Sequence, residues 1–282
     1  MKKAGSMNGR IVSLFGVLCA VSLAASVTPA SAQGLIWSLP ADGTWVRYEG
    51  KYTYIERREN SPVKDIAPWT KHITVKSVGS VMREFKGEMV ACRWIEIIIA
   101  TGRDSEAGVD TGPLGLWKYR VLVPEPSVAG TLTAADGIPV SMLPIVEGYR
   151  KLGKRPVETI KSTVLQVYPV ISLLEHYRQW DGDAEAAADP GIKLGAVEAT
   201  KRAAKLVVES RRFRSANTAD LWLSKDVPFG LAKWKATVVR EEKGALRPRS
   251  EFQAISELIE EMEARASGTD AAADPDFAAA AN

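Results

Sequence analysis

Few of the residue types that carry enzyme chemistry occur in this chain, and those present stand far apart. Its 282 residues include two histidines, His72 and His176. Nucleophilic catalysis requires a nucleophile, a base and an orienting group. His72 falls on the polar side of an alternating segment, His176 lies beside the apolar stripe of a predicted helix, and no Gly-x-Ser-x-Gly motif occurs. The sequence therefore predicts no catalytic residues and a protein that is not an enzyme.

The sequence also lacks the patterns typical of metal-binding and phosphate-binding sites. Metal ions need several His, Cys or carboxylate ligands at short spacing, and neither histidine has a second His or Cys at such a spacing. The acidic stretch 181–185 begins like a calcium loop, but Ala186 replaces the glycine and Ile192 the glutamate that such a loop requires. No helix signal follows the glycines of 148–153, as a phosphate-binding loop would need. We predict neither a metal nor a cofactor.

Two reactive side chains lie in one apolar segment. Cys92 has hydrophobic neighbours, which favours a buried structural thiol over a reactive one. Glu96 is the one acid in the run Trp94–Ile98, and a buried glutamate requires a basic partner or a raised pKa. We expect an ion pair there rather than an active-site acid. A hydrolase that assembles distant acidic residues remains a third functional alternative.

Basic residues cluster at one place, where Arg150, Lys151, Lys154 and Arg155 fall within six positions. This cluster is interpreted either as a solvated loop or as a peripheral contact with anionic lipid headgroups. The formal net charge of +3 is accounted for by Lys2, Lys3 and Arg10 alone. The rest of the chain has no basic excess, which argues against a nucleic-acid-binding protein.

The first 32 residues are predicted to be a secretory signal peptide. Charged residues precede the apolar run 11–27, and Ala30-Ser31-Ala32 matches a small-x-small cleavage site. An uncleaved anchor and a lipid-modified Cys19 are the alternatives. Cleavage after Ala32 predicts a periplasmic or secreted protein in which Cys92 is the only cysteine, so that no internal disulfide forms.

Period-two alternation, which is typical of half-buried strands, dominates the rest of the chain. One segment, 92–100, is apolar on both sides, as a strand covered on both faces would be. Turn residues separate the segments, at 41–43, 136–139 and 227–230, and the glycine-rich stretch 102–115 is predicted to be a long loop. The alternating segments are Trp45–Ile55, Lys71–Val78, Trp117–Val123, Ala204–Ser210 and Leu231–Arg240.

Helical spacing occurs twice. Residues 169–178 place five apolar side chains on one side after Pro169, and 252–265 place Ile255, Leu258, Ile259 and Met262 at helical intervals, although a final strand is an alternative there. The Ala- and Asp-rich segment 266–282 is predicted to be disordered. The fold class predicted is mainly β: a single domain over 33–265, built as a curved antiparallel sheet or incomplete barrel with one or two helices on its concave side.

The sharpest local pattern is Leu221–Trp234, which reads LWLSKDVPFGLAKW. It resembles a strand–turn–strand element of periplasmic lipoprotein-carrier-like half-barrel proteins, and Trp45–Gly50 is similar to an early strand in secreted bacterial proteins. Pro228 and Gly230 also provide a tight turn on physical grounds, across which Trp222 and Trp234 are expected to meet. The resemblance covers about 14 residues, and it implies an open barrel that holds acyl chains and has no catalytic residues.

These observations favour a non-enzymatic periplasmic or secreted protein that binds or carries an apolar ligand. A lipid or lipoprotein is the expected partner, and the oligomeric state is not predicted. The alternative is an envelope structural or interaction protein whose core is filled by its own side chains. The candidate cavity residues are Tyr48, Tyr52, Trp94, Trp117, Tyr119, Val121, Trp222 and Trp234.

Overall fold

Long antiparallel strands make up most of the protein, as the sequence predicts. The computed structural model describes residues 35–57, 64–106, 108–128, 143–165, 181–187 and 189–278. Short 3-10 turns are the only helical elements in these ranges. The strands are β1 (Trp45–Glu56), β2 (Lys64–Phe85), β3 (Glu88–Ser105), β4 (Gly108–Asp110), β5 (Trp117–Pro124), β6 (Leu143–Pro144), β7 (Glu147–Leu152), β8 (Glu158–Thr159), β9 (Val164–Leu165), β10 (Glu185–Ala187), β11 (Ala199–Glu209), β12 (Phe213–Leu223), β13 (Leu231–Glu242) and β14 (Gln253–Gly268).

Twelve of these strands form one antiparallel sheet that does not close. The order is β10-β11-β12-β13-β14-β1-β2-β3-β5-β7-β8, with β4 attached to β3. The sheet is a meander interrupted once, where the last strand, β14, pairs with the first, β1. That pairing has the largest sequence separation among the strand pairs of the described residues, and it places both of these strands in the middle of the sheet. β6 and β9 form a separate two-stranded sheet.

The sheet has two chemically distinct faces because side chains alternate along each strand. On one face, Tyr48 lies beside Ile73 of β2 and Ala264 of β14, and the same row continues through Ile99 of β3. We call this the apolar face. The opposite face, here the polar face, carries Glu49, His72 and other charged side chains of the same strands. The buried core therefore lies on one side of the sheet.

One end of the apolar face is filled by the protein's own loops. At this closed end, where β1 begins, Leu35, Ile36 and Phe229 are buried against the strands. The amide of Trp37 donates to the carbonyl of Phe229 at 2.8 Å. Phe229 has a left-handed backbone (φ 65°), a strained conformation for a residue with a side chain, and its full burial compensates for that strain.

Three expectations about local structure are corrected here. The predicted helix over 252–265 is instead the alternative strand, β14 (Gln253–Gly268), because β1 and β13 pair with it on both sides. Half of the predicted loop 102–115 is strand, because residues 102–105 extend β3 and Gly108–Asp110 form β4, which pairs with it. The segment 266–282 is ordered in its described part, to residue 278. The predicted helix 169–178, the turn 136–139 and the signal peptide lie outside the described residues.

The C-terminal segment after β14, residues 269–278, lies across the polar face. Asp270 accepts a hydrogen bond from the Trp45 indole at 2.7 Å, and Lys76 donates to the carbonyl of Ala272 at 3.3 Å. Phe277 is fully buried. We call this segment the C-terminal strap. Within the described residues no helix has the length and hydrophobicity needed to cross a membrane.

Candidate functional site

The candidate cavity residues divide between the two faces. Six of them have the register of the apolar face, and two do not. Trp94 lies on the polar face, where its ring stacks on that of Tyr149 with 6.3 Å between the ring centroids. Trp222 pairs with Lys233 and lies on the opposite side from Leu221, which is the residue paired with Trp234. The six on the apolar face are Tyr48, Tyr52, Trp117, Tyr119, Val121 and Trp234.

The expected contact between Trp222 and Trp234 is therefore wrong. A register shift follows Trp222, so the two tryptophans occupy opposite faces of the β12–β13 hairpin. The Trp222 ring instead lies near the ammonium groups of Lys201 and Lys233, at 5.5 and 5.4 Å. The Pro228–Gly230 turn itself is confirmed as a short 3-10 turn.

A buried ion pair occupies the middle of the apolar face. Lys71 donates to Glu260, and both side chains are removed from solvent. The Trp234 indole donates to the other oxygen of Glu260 at 3.0 Å. The Lys71 ammonium also lies 4.7 Å from the centre of the Tyr52 ring. Burial of two charges is tolerated here because the carboxylate accepts two hydrogen bonds and the cation contacts an aromatic ring.

One polar atom beside this pair has no partner. The Tyr48 ring packs edge-on against Trp234 at 5.0 Å, and its hydroxyl is buried without a hydrogen bond among the described residues. Burial raises the pKa of Tyr48 far above its usual range, so the phenol stays neutral. Alternation predicts Tyr48 as a residue of the apolar face. The sequence analysis did not predict Lys71 or Glu260 on that face, although Lys71 alternates in phase with Ile73 and Val75.

The other end of the apolar face opens into a cleft. Arg240 follows Val238 by two residues on β13, and its partner Ser256 precedes Leu258 by two residues on β14. Both residues therefore continue the apolar face toward this end. These positions line a cleft of about 920 Å³ at the open end, where β1 ends and β14 begins. We call it the basic cleft. Its lining is Tyr54, Glu56, Arg57, Arg212, Arg240, Glu242, Lys243, Gly244, Arg247, Glu251, Gln253, Ala254, Ile255 and Ser256.

Positive charge exceeds negative charge in the basic cleft, with five cationic and three acidic side chains in its lining. Arg212 pairs with Glu242 at 3.2 Å, and Arg247 pairs with Glu251 at 3.7 Å. Arg240 is exposed and makes no ion pair within the described part of the chain. Arg guanidinium groups present several donors in a fixed plane and suit phosphate or carboxylate groups. The cleft is thus chemically suited to an anion.

A smaller apolar cleft of about 380 Å³ adjoins the basic cleft and shares Arg240 with it. Val208, Phe213 and Ile255 provide its apolar lining. Phe213 is 52% exposed and Val208 is 50% exposed, both at the ends of strands β12 and β11. Positive charge and exposed apolar surface therefore occur together at the open end.

A second buried carboxylate lies on the polar face, beneath the C-terminal strap. Both oxygens of Glu96 accept from the backbone amide of Asp274, at 3.1 and 2.9 Å, and Arg120 lies 3.5 Å away. Burial raises the pKa of Glu96, and the Asp274 amide and Arg120 partly oppose that shift. Glu96 thus has the basic partner expected of it. It lines neither cleft at the open end.

Two of the four residues in the predicted basic cluster have acidic partners. Arg150 pairs with Glu158 at 2.9 Å, and Lys151 pairs with Asp276 of the strap at 2.5 Å. Lys154 and Arg155 are exposed in the turn after β7. These four residues are close in sequence, but Arg150 pairs with an acid of the neighbouring strand β8 and Lys151 with an acid 125 residues away. The open end, which no sequence pattern indicated, carries the larger concentration of arginine.

The remaining candidates for chemistry stay isolated. His72 lies 3.9 Å from Glu49, and burial lowers its pKa. Cys92 is buried as predicted, and burial raises the pKa of its thiol. His176 lies outside the described residues. In the described ranges, no three His, Cys, Asp or Glu side chains are grouped so that they could hold a metal ion.

No protein-family model matches the chain, and no curated protein matches it significantly. Architecture alone therefore defines its class: a mainly β protein built on one open antiparallel sheet. Within that class, this chain is distinguished by a loop-filled closed end, a buried ion pair at mid-face and a basic cleft at the open end.

Proposed function

We propose that this protein is a non-enzymatic periplasmic or secreted binding protein for an anionic amphiphile, such as a phospholipid or another acyl-bearing anion. The observation that carries the proposal is the position of the basic cleft at the open end of the apolar face. An anionic amphiphile needs a cationic site for its headgroup next to an apolar path for its acyl chain. The apolar-face rows of β13 and β14 that end at Arg240 and Ser256 offer both.

The charged headgroup would occupy the basic cleft. Arg240 is exposed and free of ion pairs in the described part of the chain, so a phosphate oxygen gains a hydrogen-bond donor without displacing a glutamate. Arg57 and Arg247 have carboxylate partners at 3.2 and 3.7 Å, and they would share their remaining donors. A charge-assisted hydrogen bond of this kind contributes about 1.5–3 kcal/mol.

The acyl chain would follow the apolar face inward. Tyr54 lines the cleft, Leu258 and Val238 lie one register step further inward, and the Lys71–Glu260 pair lies one step beyond them. Glu260 lies four residue steps along β14 from Ser256, a path of about 13 Å. The buried pair limits this path, so affinity is expected to rise with acyl length only until the chain exceeds it.

Calorimetric titration with lysophosphatidylglycerol below its micelle concentration tests the proposal. The protein should bind this lipid and bind lysophosphatidylcholine more weakly, because a zwitterionic headgroup lacks net negative charge. Charge reversal in Arg240→Glu/Arg247→Glu should weaken binding by about ten-fold or more, the equivalent of one lost charged hydrogen bond.

A matched control is available on the same strand. Lys235 lies on the polar face of β13 and is about as exposed as its partner Glu261. Lys235→Glu changes the net charge of the protein at a site remote from the cleft and should leave affinity unchanged. Equal losses in the Lys235 and Arg240/Arg247 variants would show a non-specific charge effect and overturn the proposal.

An envelope structural or interaction protein with a self-filled core is the second candidate. The closed end favours it, because Leu35, Ile36 and Phe229 occupy space that a ligand would need. None of the aromatic cavity candidates lines either cleft at the open end, although Tyr54, two residues from Tyr52, lines the basic cleft. Absence of lysophosphatidylglycerol binding, with the protein folded, would favour this candidate.

A further inference from the structure

The open end of the sheet carries a second feature besides the cleft. The β11–β12 and β13–β14 hairpins project there side by side, because β12 pairs with β13 up to Phe213 and Glu242. Their outer parts, residues 209–214 and 240–251, hold seven basic and four acidic residues, a net charge of +3. Large apolar side chains are exposed among these charges, and Leu246 is 88% exposed.

We propose that these two hairpins dock on the surface of an anionic lipid bilayer. The docking tip consists of Val208, Arg211, Phe213, Leu246 and Arg249. Exposed apolar side chains that enter the headgroup region, surrounded by cations that meet anionic lipid, are the two contributions that peripheral membrane binding combines. The inference goes beyond the proposed function, since a bilayer surface is recognised whether or not the cleft holds a lipid.

Hydrogen bonds between the hairpins make the docking tip one unit. The Lys243 amide donates to the carbonyl of Arg212 at 3.0 Å, and its ammonium donates to the carbonyl of Arg211 at 2.8 Å. The Arg211 guanidinium in turn donates to the carbonyl of Ala245 at 3.1 Å. Phe213 and Leu246 are therefore presented together on a fixed surface, and little ordering is needed when the tip meets a membrane.

Charge complementarity selects an anionic surface. Four of the seven cations have glutamate partners, including Arg249 with Glu209 at 2.8 Å and Arg212 with Glu242 at 3.2 Å. The excess of +3 remains after all four acids are counted. The opposite end of the sheet provides the contrast. The β2–β3 hairpin tip, residues 82–89, exposes Met82 (52%) and Met89 (62%) but has two basic and two acidic residues.

Vesicle co-sedimentation with the whole protein tests the inference. Vesicles with equal amounts of phosphatidylglycerol and phosphatidylcholine should bind the protein, pure phosphatidylcholine vesicles should not, and high salt should release it. Arg211→Gln/Arg249→Gln should weaken binding by about ten-fold or more, because each basic residue near an anionic surface contributes roughly five-fold. Phe213→Ser/Leu246→Ser should also weaken it, with an unchanged midpoint of thermal unfolding.

Met82→Ser/Met89→Ser is the matched control and should bind vesicles like the unmodified protein. Equal binding to neutral and anionic vesicles, or equal losses in the control and the tip variants, would overturn the inference. The Phe213→Ser/Leu246→Ser variant should still bind monomeric lysophosphatidylglycerol, because neither side chain lines the basic cleft. Vesicle binding without monomer binding would overturn the proposed function alone, and the converse would overturn docking alone.

Discussion

The two ends of the apolar face are built from the same strands and differ in what covers them. At the closed end, residues 35–39 and the 228–230 turn exclude solvent from the rows that begin at Val46 and Ala232. At the open end the same rows finish at Tyr54 and Arg240, beside arginines and exposed apolar side chains. Packing at the closed end stabilises the sheet, so the open end is free to present charge that would be costly inside the core.

The buried ion pair marks where the closed end stops, and breaking it should give the largest effect. Glu260→Gln leaves the Lys71 ammonium buried without a counter-charge, which is expected to lower the free energy of unfolding by about 3–5 kcal/mol. Chemical denaturation of the purified variant measures this loss.

A paired substitution separates charge from packing at the same site. Lys71→Met/Glu260→Gln removes both charges and keeps an acceptor oxygen for the Trp234 indole. Stability should return to within about 1–2 kcal/mol of the unmodified protein, because replacing a buried pair with neutral groups is often nearly neutral. A double variant as unstable as Glu260→Gln would contradict the explanation.

Two phenylalanine truncations compare the ends directly. Phe229→Ala empties a buried position at the closed end and should cost about 3 kcal/mol in unfolding free energy. Phe213→Ala, at the open end, should change stability by no more than about 0.5 kcal/mol because its side chain is half exposed. Urea denaturation of both variants gives the comparison, and similar losses would show that the open end is also structural.

The polar face allows a smaller test, through Glu96 and the strap. Because burial raises the pKa of Glu96 in the folded protein, its contribution to stability is present below its usual value of 4.5 and is lost as the pH rises through the folded-state pKa. Glu96→Gln keeps an acceptor for the Asp274 amide and should remove that decline. Thermal unfolding midpoints measured from below 4.5 up to neutral pH should fall less steeply with rising pH in the variant.

Aspartates of the strap provide the internal control for that measurement. Hydrogen bonds from Lys118 and Lys151 lower the pKa of Asp276, so its contribution is present above the usual value of 3.8 and is lost as the pH falls. This loss has the opposite sign and lies in a more acidic range than the Glu96 effect. A Glu96→Gln profile identical to that of the unmodified protein above 4.5 would contradict the assignment.

Alternation predicted the strands well because it depends on local side-chain direction. Tyr48, Tyr52 and Trp234 were placed on the apolar face by period two alone, and the open antiparallel sheet followed from those segments. The prediction from side-chain spacing was wrong for residues 252–265. Ile255, Leu258, Ile259 and Met262 satisfy a helical period, but pairing with β1 and β13 overrides it. Glu260 was missed for this reason.

Long-range pairing explains the other failures. The strap has the composition of a disordered segment, yet Asp270, Asp274 and Asp276 each have a partner more than 100 residues away. Trp222 was assigned to the wrong face because no sequence signal marks the register shift that follows it. The open-end arginines come from three separate segments, the end of β1 and the outer parts of two hairpins, so no short window of sequence contains them together.

Hydrogen–deuterium exchange with and without lysophosphatidylglycerol tests the central claim most directly, because it reports where the amphiphile binds. The proposal predicts slower exchange in residues 54–57 and 240–256, which contain all but one of the residues that line the basic cleft, and no change in residues 35–46 or 227–235 at the closed end. Protection confined to the closed end, or no protection anywhere under conditions that saturate binding, would contradict it.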